Sequence, residues 1–375
     1  MLESVICIQY KVTMRGHPSS QPTFLSLINV ETLIPAEHPL RVIKRMVDEV
    51  LRGMDAHFDE IYADNGRSSI PPERLLKARV LQALFTVRSD RQLCDRLQTD
   101  LMFRWFLDLG LDEPVFDAST FSQNQARLLQ HEVADLFFYE VVELARRHGW
   151  VSDDHFSVDA TLIEAWASLK SFKPKGTDQG SGSGNAWTDF KGEKRSNDTH
   201  ASTTDPEAKL LRKGPGKEAR LCFAGHATME NRHGLCVMFE VQPSVGAPES
   251  AVAVDQAVEL RNRGFEPKTN GGDKGYHTEA FVEGMRELKI EPHPALKAGQ
   301  NTWGVICTAA HAASQKVRKR IEEIFGWTKT TGCFRKTRYR GVERTHAAGQ
   351  YVVATWNLVR MAKLMMTAPP KLARA

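Results

Sequence analysis

The period of the apolar residues changes near Trp150, and this change constrains the fold more than any other feature of the chain. Before Trp150, apolar residues recur at spacings of three and four, as they do on an amphipathic helix. After it, short runs that are typical of strands are interleaved with further helical stretches. The two patterns predict an all-helical N-terminal domain followed by a domain of mixed α/β or α+β class.

The first half divides into an N-terminal arm, residues 1–24, and a helical domain, residues 25–150. One helix begins near His38, a second follows two prolines placed at a helix entrance, and a third has Ser89 as its N-cap. We predict a single long helix within residues 117–150. Helices joined by tight turns can place one helix in a DNA groove, but most helical domains only pack, and the pattern leaves both interpretations open.

The second half is predicted to be one domain over residues 151–366, with a tail at 367–375. A strand surrounds Asp159, and the polar Gly/Ser-containing stretch 170–215 is predicted to be a loop insertion. A hairpin turning at residues 231–234 follows, and then helices alternate with short strands. A basic helix is expected from about 312 to 327 and a last helix from about 346 to 366.

Composition narrows the class of protein. With 41% hydrophobic and 26% charged residues, the chain is globular. No apolar run approaches the ~18 residues of a membrane-spanning helix. Six scattered cysteines without a CxxC pair indicate the reduced thiols of a cytosolic protein. The net charge of +4 supports a nucleic-acid partner only weakly, but residues 316–340 hold nine Lys/Arg and two Asp/Glu, which is suited to binding phosphates.

Two aspartates stand out in the second domain. Asp159 interrupts an apolar strand, where burial of a carboxylate is unfavourable unless hydrogen bonds or a cation compensate. Asp273 lies just past another strand, the position at which α/β domains bind ligands, and Gly271, Gly272 and Gly275 permit tight backbone paths beside it. The alternatives are that Asp159 caps the end of its strand and that Asp273 belongs to a simple turn.

A third carboxylate lies on the predicted basic helix. With Arg318 as the zero point and 100° per residue, Glu322 falls at about 40° and Lys329 at about 20°, so the three share a face. Glu323 falls at about 140° and points elsewhere. The alternative is a solvated helix face that carries one Arg–Glu pair, worth about 0.3–0.5 kcal/mol.

Together, Asp159, Asp273 and Glu322 form a candidate carboxylate triad. Two carboxylates about 4 Å apart repel each other by about 4 kcal/mol at an effective dielectric constant near 20. A convergent triad therefore requires neutralisation, and divalent cations with oxygen ligands are suited to it. Two Mg²⁺ ions could activate a water or a 3′-hydroxyl at a phosphodiester.

Several segments resemble the DDE transposases of bacterial insertion sequences, in particular the group called insertion-sequence family five. They are VDAT around Asp159, GGDKGYHT around Asp273, RKRIEEIFGWTK around Glu322 and DASTFSQNQARL at the end of the helical domain. The spacing of Arg318, Glu322 and Lys329 resembles that superfamily's Tyr–Arg–Glu–Lys signature. Its usual Tyr is replaced here by Gln315. The resemblance covers residues 25–365.

The resemblance implies an RNase H-like catalytic domain. Asp159 would lie on its first strand, Asp273 after its fourth strand and Glu322 on the helix after its fifth. These three side chains would be catalytic and would bind two Mg²⁺ ions, with Mn²⁺ as an alternative.

The resemblance also implies a DNA partner. Arg318, Lys329, Lys274 and Tyr276 would bind DNA, with Tyr276 stacking on it or hydrogen-bonding to it near the scissile site. The helical domain would bind the terminal inverted repeats, and a homodimer would join both ends to target DNA.

Other interpretations use the same residues differently. The enzyme could be a nuclease of the same fold without strand transfer, or the chain could be an inactive DNA-binding protein derived from a transposase. His226 and Glu230, four apart on a predicted strand, could bind a transition metal, but no third ligand is evident, so we expect an ordinary hairpin surface.

Overall fold

The computed structural model describes residues 30–61, 69–175, 195–212, 214, 216–297 and 301–367. The predicted N-terminal arm and tail lie outside these residues, apart from Thr367. The described part has a helical N-terminal region and a C-terminal region built around a sheet, so the mixed α+β class is confirmed. No helix among the described residues is long and apolar enough to cross a membrane.

Eight helices precede the first strand in the described part of the chain. They are α1 (Val30–Leu33), α2 (Pro39–Gly53), α3 (Asp55–Ile61), α4 (Pro72–Leu84), α5 (Asp90–Thr99), α6 (Leu101–Phe106), α7 (Ala118–Gln130) and α8 (Val133–Arg147). The Ser89 hydroxyl accepts a hydrogen bond from the Gln92 N–H at 3.1 Å, as expected for an N-cap. The prediction of a single long helix within 117–150 is wrong. Glu132 adopts a left-handed conformation, with φ of 50°, and separates α7 from α8.

The larger sheet has six strands, with β1 (Phe156–Glu164) in its centre. The other members are β4 (Lys209–Arg212), β5 (Ala219–Glu230), β6 (Leu235–Pro243), β7 (Thr269–Gly272) and β8 (Glu291–Pro294). On one side β1 pairs antiparallel with β5, which pairs with β4 and β6 along its outer edge. On the other side β7 pairs parallel with β1, and β8 pairs parallel with β7.

Among the described residues, five helices surround the sheet: α9 (Glu249–Asn262), α10 (Glu279–Glu287), α11 (Ala309–Val317), α12 (Ile321–Lys329) and α13 (Val342–Thr367). The predicted basic helix is therefore not continuous, because a 3₁₀ turn at Arg318–Arg320 divides α11 from α12. A Cβ on Gly271 would lie 2.6 Å from the Ser314 Oγ of α11, so β7 requires a glycine where that helix crosses it.

The longest helix, α13, joins the two halves of the chain. It packs on β6, α8, α4 and α2, and one continuous hydrophobic core includes residues of the N-terminal helices, the sheet and α13. A smaller cluster lies between β1, α9 and α10 and contains Val158 and Tyr276.

The polar stretch 170–215 is not all loop. A two-stranded sheet forms from β2 (Phe172–Pro174) and β3 (His200–Ser202), and β4 joins the larger sheet. Asp205 and Glu207 accept hydrogen bonds from the Gly341 and Val342 N–H groups, at 3.1 and 2.9 Å. This stretch therefore satisfies backbone donors at the start of α13.

Candidate active site

Asp159 lies in the middle of β1, the central strand. Its Oδ1 accepts a hydrogen bond from the Ala160 N–H at 2.8 Å, and the residue is half-buried. The strand continues to Glu164, so the alternative in which Asp159 ends the strand is wrong.

Asp273 follows β7, the strand parallel to β1. Its carboxylate caps the turn Lys274–Tyr276 and accepts a hydrogen bond from the Gly275 N–H at 2.6 Å. A Cβ on Gly272 would lie 2.7 Å from the Tyr276 side chain. Both glycines of β7 are therefore required by close packing, while Asp273 is held at the carboxyl end of the strand.

The sheet brings the two aspartates into electrostatic contact. Burial raises the pKa of Asp159 to about 6, the Ala160 N–H opposes the rise, and the charge of Asp273 adds to it. Arg318 also acts on Asp159 and favours its charged form. The pair is thus an incompletely neutralised cluster of negative charge.

Glu249, in the first turn of α9, is a third carboxylate at this position and was missed in the sequence. Its charge acts on Asp159, and partial burial together with Asp273 raises the pKa of Glu249. An acidic residue in the first turn of a helix is normally explained by the helix dipole. Glu249 therefore gives no signal of a site role in the sequence. Its proximity to the two aspartates follows only from the packing of α9 against β1 and the 274–276 turn.

Glu322 is exposed in the first turn of α12. This helix packs on β1, and the ammonium group of Lys329 donates a hydrogen bond to the Thr161 hydroxyl. Thr161 lies two residues from Asp159, on the same face of the strand. Within α12, Glu322 and Lys329 are seven residues apart and share a helix face, as predicted.

Arg318 departs from the predicted geometry. Because the 3₁₀ turn advances about 120° per residue instead of 100°, Arg318 and Glu322 are not aligned as a continuous α-helix would align them. The guanidinium group lies instead within electrostatic reach of Asp159, and its Nε is buried without a hydrogen-bond partner among the described residues.

Gln315, at the position of the family's usual Tyr, has a structural contact. Its side-chain amide donates hydrogen bonds to the Gly272 carbonyl at 3.3 Å and to the His293 carbonyl. It thereby ties α11 to β7 and β8 directly before Asp273.

Tyr276 and Lys274 follow Asp273 in different environments. Lys274 is exposed, whereas Tyr276 is 1% exposed and its ring packs edge-on against Phe281 at 5.4 Å. Stacking of this ring on DNA is therefore contradicted, because no face is available to a base. Burial, Glu249, Asp159 and Asp273 raise the pKa of Tyr276, so its hydroxyl is near the carboxylates, and a hydrogen bond to DNA stays a prediction.

His226 and Glu230 do not form a hairpin surface. They are 5% and 0% exposed, and Glu230 accepts hydrogen bonds from Ser152 and from two N–H groups of the following turn. Burial lowers the pKa of His226 to about 4. Across the described residues, no group of three or more His, Cys, Asp or Glu side chains is arranged to hold a metal ion.

Two family models match the chain. The model described as "Transposase domain (DUF772)" matches residues 28–127, and "Transposase DDE domain" matches residues 282–362, which include Glu322. The chain belongs to the DDE transposases. The first match covers most of the N-terminal helices, and the second runs from α10 into α13.

Solved transposase structures are also similar to the chain, at low identity. A piggyBac transposase synaptic complex with hairpin DNA is 8% identical, with 88% of this chain and 76% of that chain covered and a TM-score of 0.40. A Mos1 transposase paired-end complex with the left transposon end is 10% identical, with 73% and 83% covered and a TM-score of 0.20. These scores are too low to transfer any residue or ligand to this chain.

Proposed function

We propose that this DDE transposase is an insertion-sequence transposase of the family-five group, which cleaves DNA at the element's ends and joins the 3′-hydroxyls to target DNA. The observation that carries the proposal is the placement of Asp159 on β1 and of Asp273 directly after the parallel strand β7, with a cation near Asp159. The strand order β6–β5–β1–β7–β8, antiparallel in its first half and parallel in its second, supports an RNase H-like domain.

Asp159 and Asp273 have the chemistry to bind a divalent cation as two of its ligands. Asp159 is half-buried, and its pKa is raised by burial and by a neighbouring carboxylate. Among the described residues, only the Ala160 N–H donates a hydrogen bond to it. Oxygen-rich, negatively charged clusters of this kind are suited to Mg²⁺ or Mn²⁺. In the proposal Asp159 and Asp273 hold the ions, and Glu322 supplies the third catalytic carboxylate from α12.

When bound, two such ions supply activation of the attacking oxygen and stabilisation of the leaving oxygen. The chain's own residues position the DNA. Lys329 and Arg318 present cations on the α12 side of β1, where a phosphodiester approaching Asp159 would lie. Lys274 is exposed beside Asp273 and adds a third cation.

The substrates are double-stranded DNA carrying the terminal inverted repeats, and target DNA. Since two ends must be joined together, a homodimer on DNA is part of the proposal. The basic segment 316–340 supplies the local charge for the phosphates, and the N-terminal helices would bind the repeats.

The test is a donor plasmid carrying the element's terminal repeats, incubated with the full chain, target DNA and Mg²⁺. We expect cleaved ends and joined products, both abolished by EDTA. Cleavage without joining would show a nuclease, and binding without cleavage would show a DNA-binding protein. Either result would contradict the proposal.

A further inference from the structure

A cavity of about 510 Å³ lies between the N-terminal helices and the C-terminal helix, and neither candidate aspartate lines it. Its walls come from α4 and α7, from residues 332–339 and from the first turns of α13. We call it the junction cavity. Its volume falls in the range of about 300–1,000 Å³ in which proteins bind small ligands.

The walls of the junction cavity carry excess positive charge. They contain Arg79, Lys336, Arg338 and Arg344, and the only carboxylate among the described wall residues is Asp90. Arg79 donates to Asp90 at 2.9 Å and neutralises it. Lys336 and Arg344 are exposed at the walls, where they can receive an anionic group from solvent.

The walls of the junction cavity also contain two tyrosine rings and a glutamine amide group that lacks a hydrogen-bond acceptor among the described residues. Tyr351 is 6% exposed, and its hydroxyl makes no hydrogen bond to any residue in the described part of the chain. Tyr339 lies beside it, close enough to act on it electrostatically. The Gln125 Nε2 is buried and has no hydrogen-bond partner among the described residues, which is unfavourable unless a ligand accepts its hydrogen bond.

These features match the parts of one nucleotide. Arginine and lysine bind phosphate, aromatic rings stack on bases, and a glutamine amide can hydrogen-bond a base edge. The cavity is too small for a duplex, so a nucleotide could enter it only after leaving the base stack.

The junction cavity is connected to the candidate active site through β1. Lys329 bonds Thr161, and three residues further Glu164 forms a β-bridge with Lys336, a wall residue. Asp159 and Glu164 are five residues apart, or about 17 Å along the strand. That span equals about five steps of one strand of B-form DNA, at about 3.4 Å per step.

We propose that the junction cavity takes one unstacked nucleotide of the DNA strand whose scissile phosphate lies at Asp159 and Asp273. The proposal rests on the proposed function for the identity of the partner. Lys336 and Arg344 bind the phosphate, Tyr339 stacks on the base, and Gln125 faces the base edge.

The test measures binding of a fluorescein-labelled 12-nucleotide deoxythymidine oligomer to the full chain in EDTA, from 50 to 300 mM salt. For the Lys336→Ala/Arg344→Ala double variant we expect at least tenfold weaker binding and a log–log salt slope shallower by about 0.7 per removed cation. For Tyr339→Ala we expect a loss of about fivefold or more without a change of slope.

Lys363→Ala is the matched control, because Lys363 is an exposed cation on α13, the helix that carries Arg344, and it does not line the cavity. We expect less than a twofold change for it. An unchanged affinity and slope in the double variant, or an equal loss in Lys363→Ala, would overturn the proposal. Melting temperatures of all variants within about 2 °C of the parent exclude misfolding as the cause.

Competition identifies the ligand. If thymidine monophosphate or inorganic phosphate displaces the oligomer at the oligomer's own concentration, the cavity is a free-nucleotide or simple anion site, and the proposal is overturned. The binding test needs neither metal nor the element's ends, so it can be interpreted even if the protein does not cleave DNA. Conversely, a failure of the binding test would not change the result of the cleavage assay.

Discussion

The candidate active site has a strand-borne half, Asp159 and Asp273, and a helix-borne half, Glu322. The two halves differ in how firmly the fold holds them. Asp159 lies on β1, Asp273 directly follows the parallel strand β7, and the two act on each other electrostatically. Glu322 lies in the first turn of a helix that follows a 3₁₀ turn, and its carboxylate is exposed. Hydrogen-bonded strands have a fixed register, whereas a helix packed on a sheet can rotate or slide without losing its own hydrogen bonds. The positions of the two aspartates are therefore fixed by the sheet, whereas Glu322 can move with α12.

The largest expected effect comes from removing a charge of the strand-borne half. Asp273→Asn should lower the rate of DNA cleavage in Mg²⁺ by about 1,000-fold, or about 4 kcal/mol of barrier, because a metal ligand is lost. Single-turnover cleavage of DNA carrying the element's end measures the change. Asp255→Asn, on the exposed side of α9, is the control and should retain the parent's rate. Equal rates for Asp273→Asn and the parent would contradict the assignment.

The two halves should also differ in their effect on stability. The pKa of Asp159 is raised to about 6 in the folded chain. Ionisation of this carboxyl group therefore lowers the free energy of unfolding: the loss is small below about pH 4 and reaches its full size as the pH rises above 6. Asp159→Asn should therefore increase the free energy of unfolding by up to about 3 kcal/mol at pH 8 in EDTA, and by little at pH 4.

Urea unfolding at the two pH values measures this difference. Glu322→Gln, at an exposed site, should change the stability by less than about 0.5 kcal/mol at either pH. A destabilised Asp159→Asn protein at pH 8 would show that the negative charges of the pair are already compensated.

The third catalytic carboxylate could come from α12, as Glu322, or from α9, as Glu249, and two variants distinguish them. If α12 moves into place on DNA, Glu322→Gln should slow cleavage by about 100-fold, whereas Glu249→Gln should slow it by about 10-fold, because Glu249 acts only through its charge on the two aspartates. The single-turnover rates of the two variants decide between them. The reverse order would place the third ligand on α9.

The smallest expected effect concerns the contact between the halves. Lys329→Met removes the cation that donates a hydrogen bond to Thr161. It should lower the rate of DNA cleavage about 10-fold, because the scissile phosphate would be held less accurately. Lys319→Met removes an exposed cation from the preceding turn and serves as the control. Equal losses for both variants would mean that only the total positive charge matters.

The positions of Asp159 on a strand and of Asp273 directly after another could be predicted from the sequence, whereas their role stays a proposal. An aspartate in an apolar strand and another directly after a Gly-rich strand end are local signals, and the parallel pairing of β1 and β7 brings them together. Glu249 gives no local signal, since its proximity arises only from how α9 packs. The 3₁₀ turn at Arg318–Arg320 and the break at Glu132 were also missed, because apolar periodicity does not report a change of helix type or a single left-handed residue.

Burial explains the remaining errors. Tyr276 and His226 have polar groups that suggest a surface position, but Tyr276 lies in the apolar cluster formed with α9 and α10, and His226 is buried on β5, where α9 packs. The β-strands within 170–215 were hidden by a Gly- and Ser-containing composition that favours loops.

Metal-directed cleavage of the polypeptide tests the central claim most directly. Fe²⁺ bound in place of Mg²⁺ generates hydroxyl radicals with ascorbate and peroxide, and these cut the backbone near the metal. We predict cuts close to Asp159 and Asp273 that are suppressed by excess Mg²⁺ and lost in Asp273→Asn. Cuts that are absent from both positions, in a protein that still cleaves DNA with Mg²⁺, would contradict the claim that these strands hold the catalytic metals.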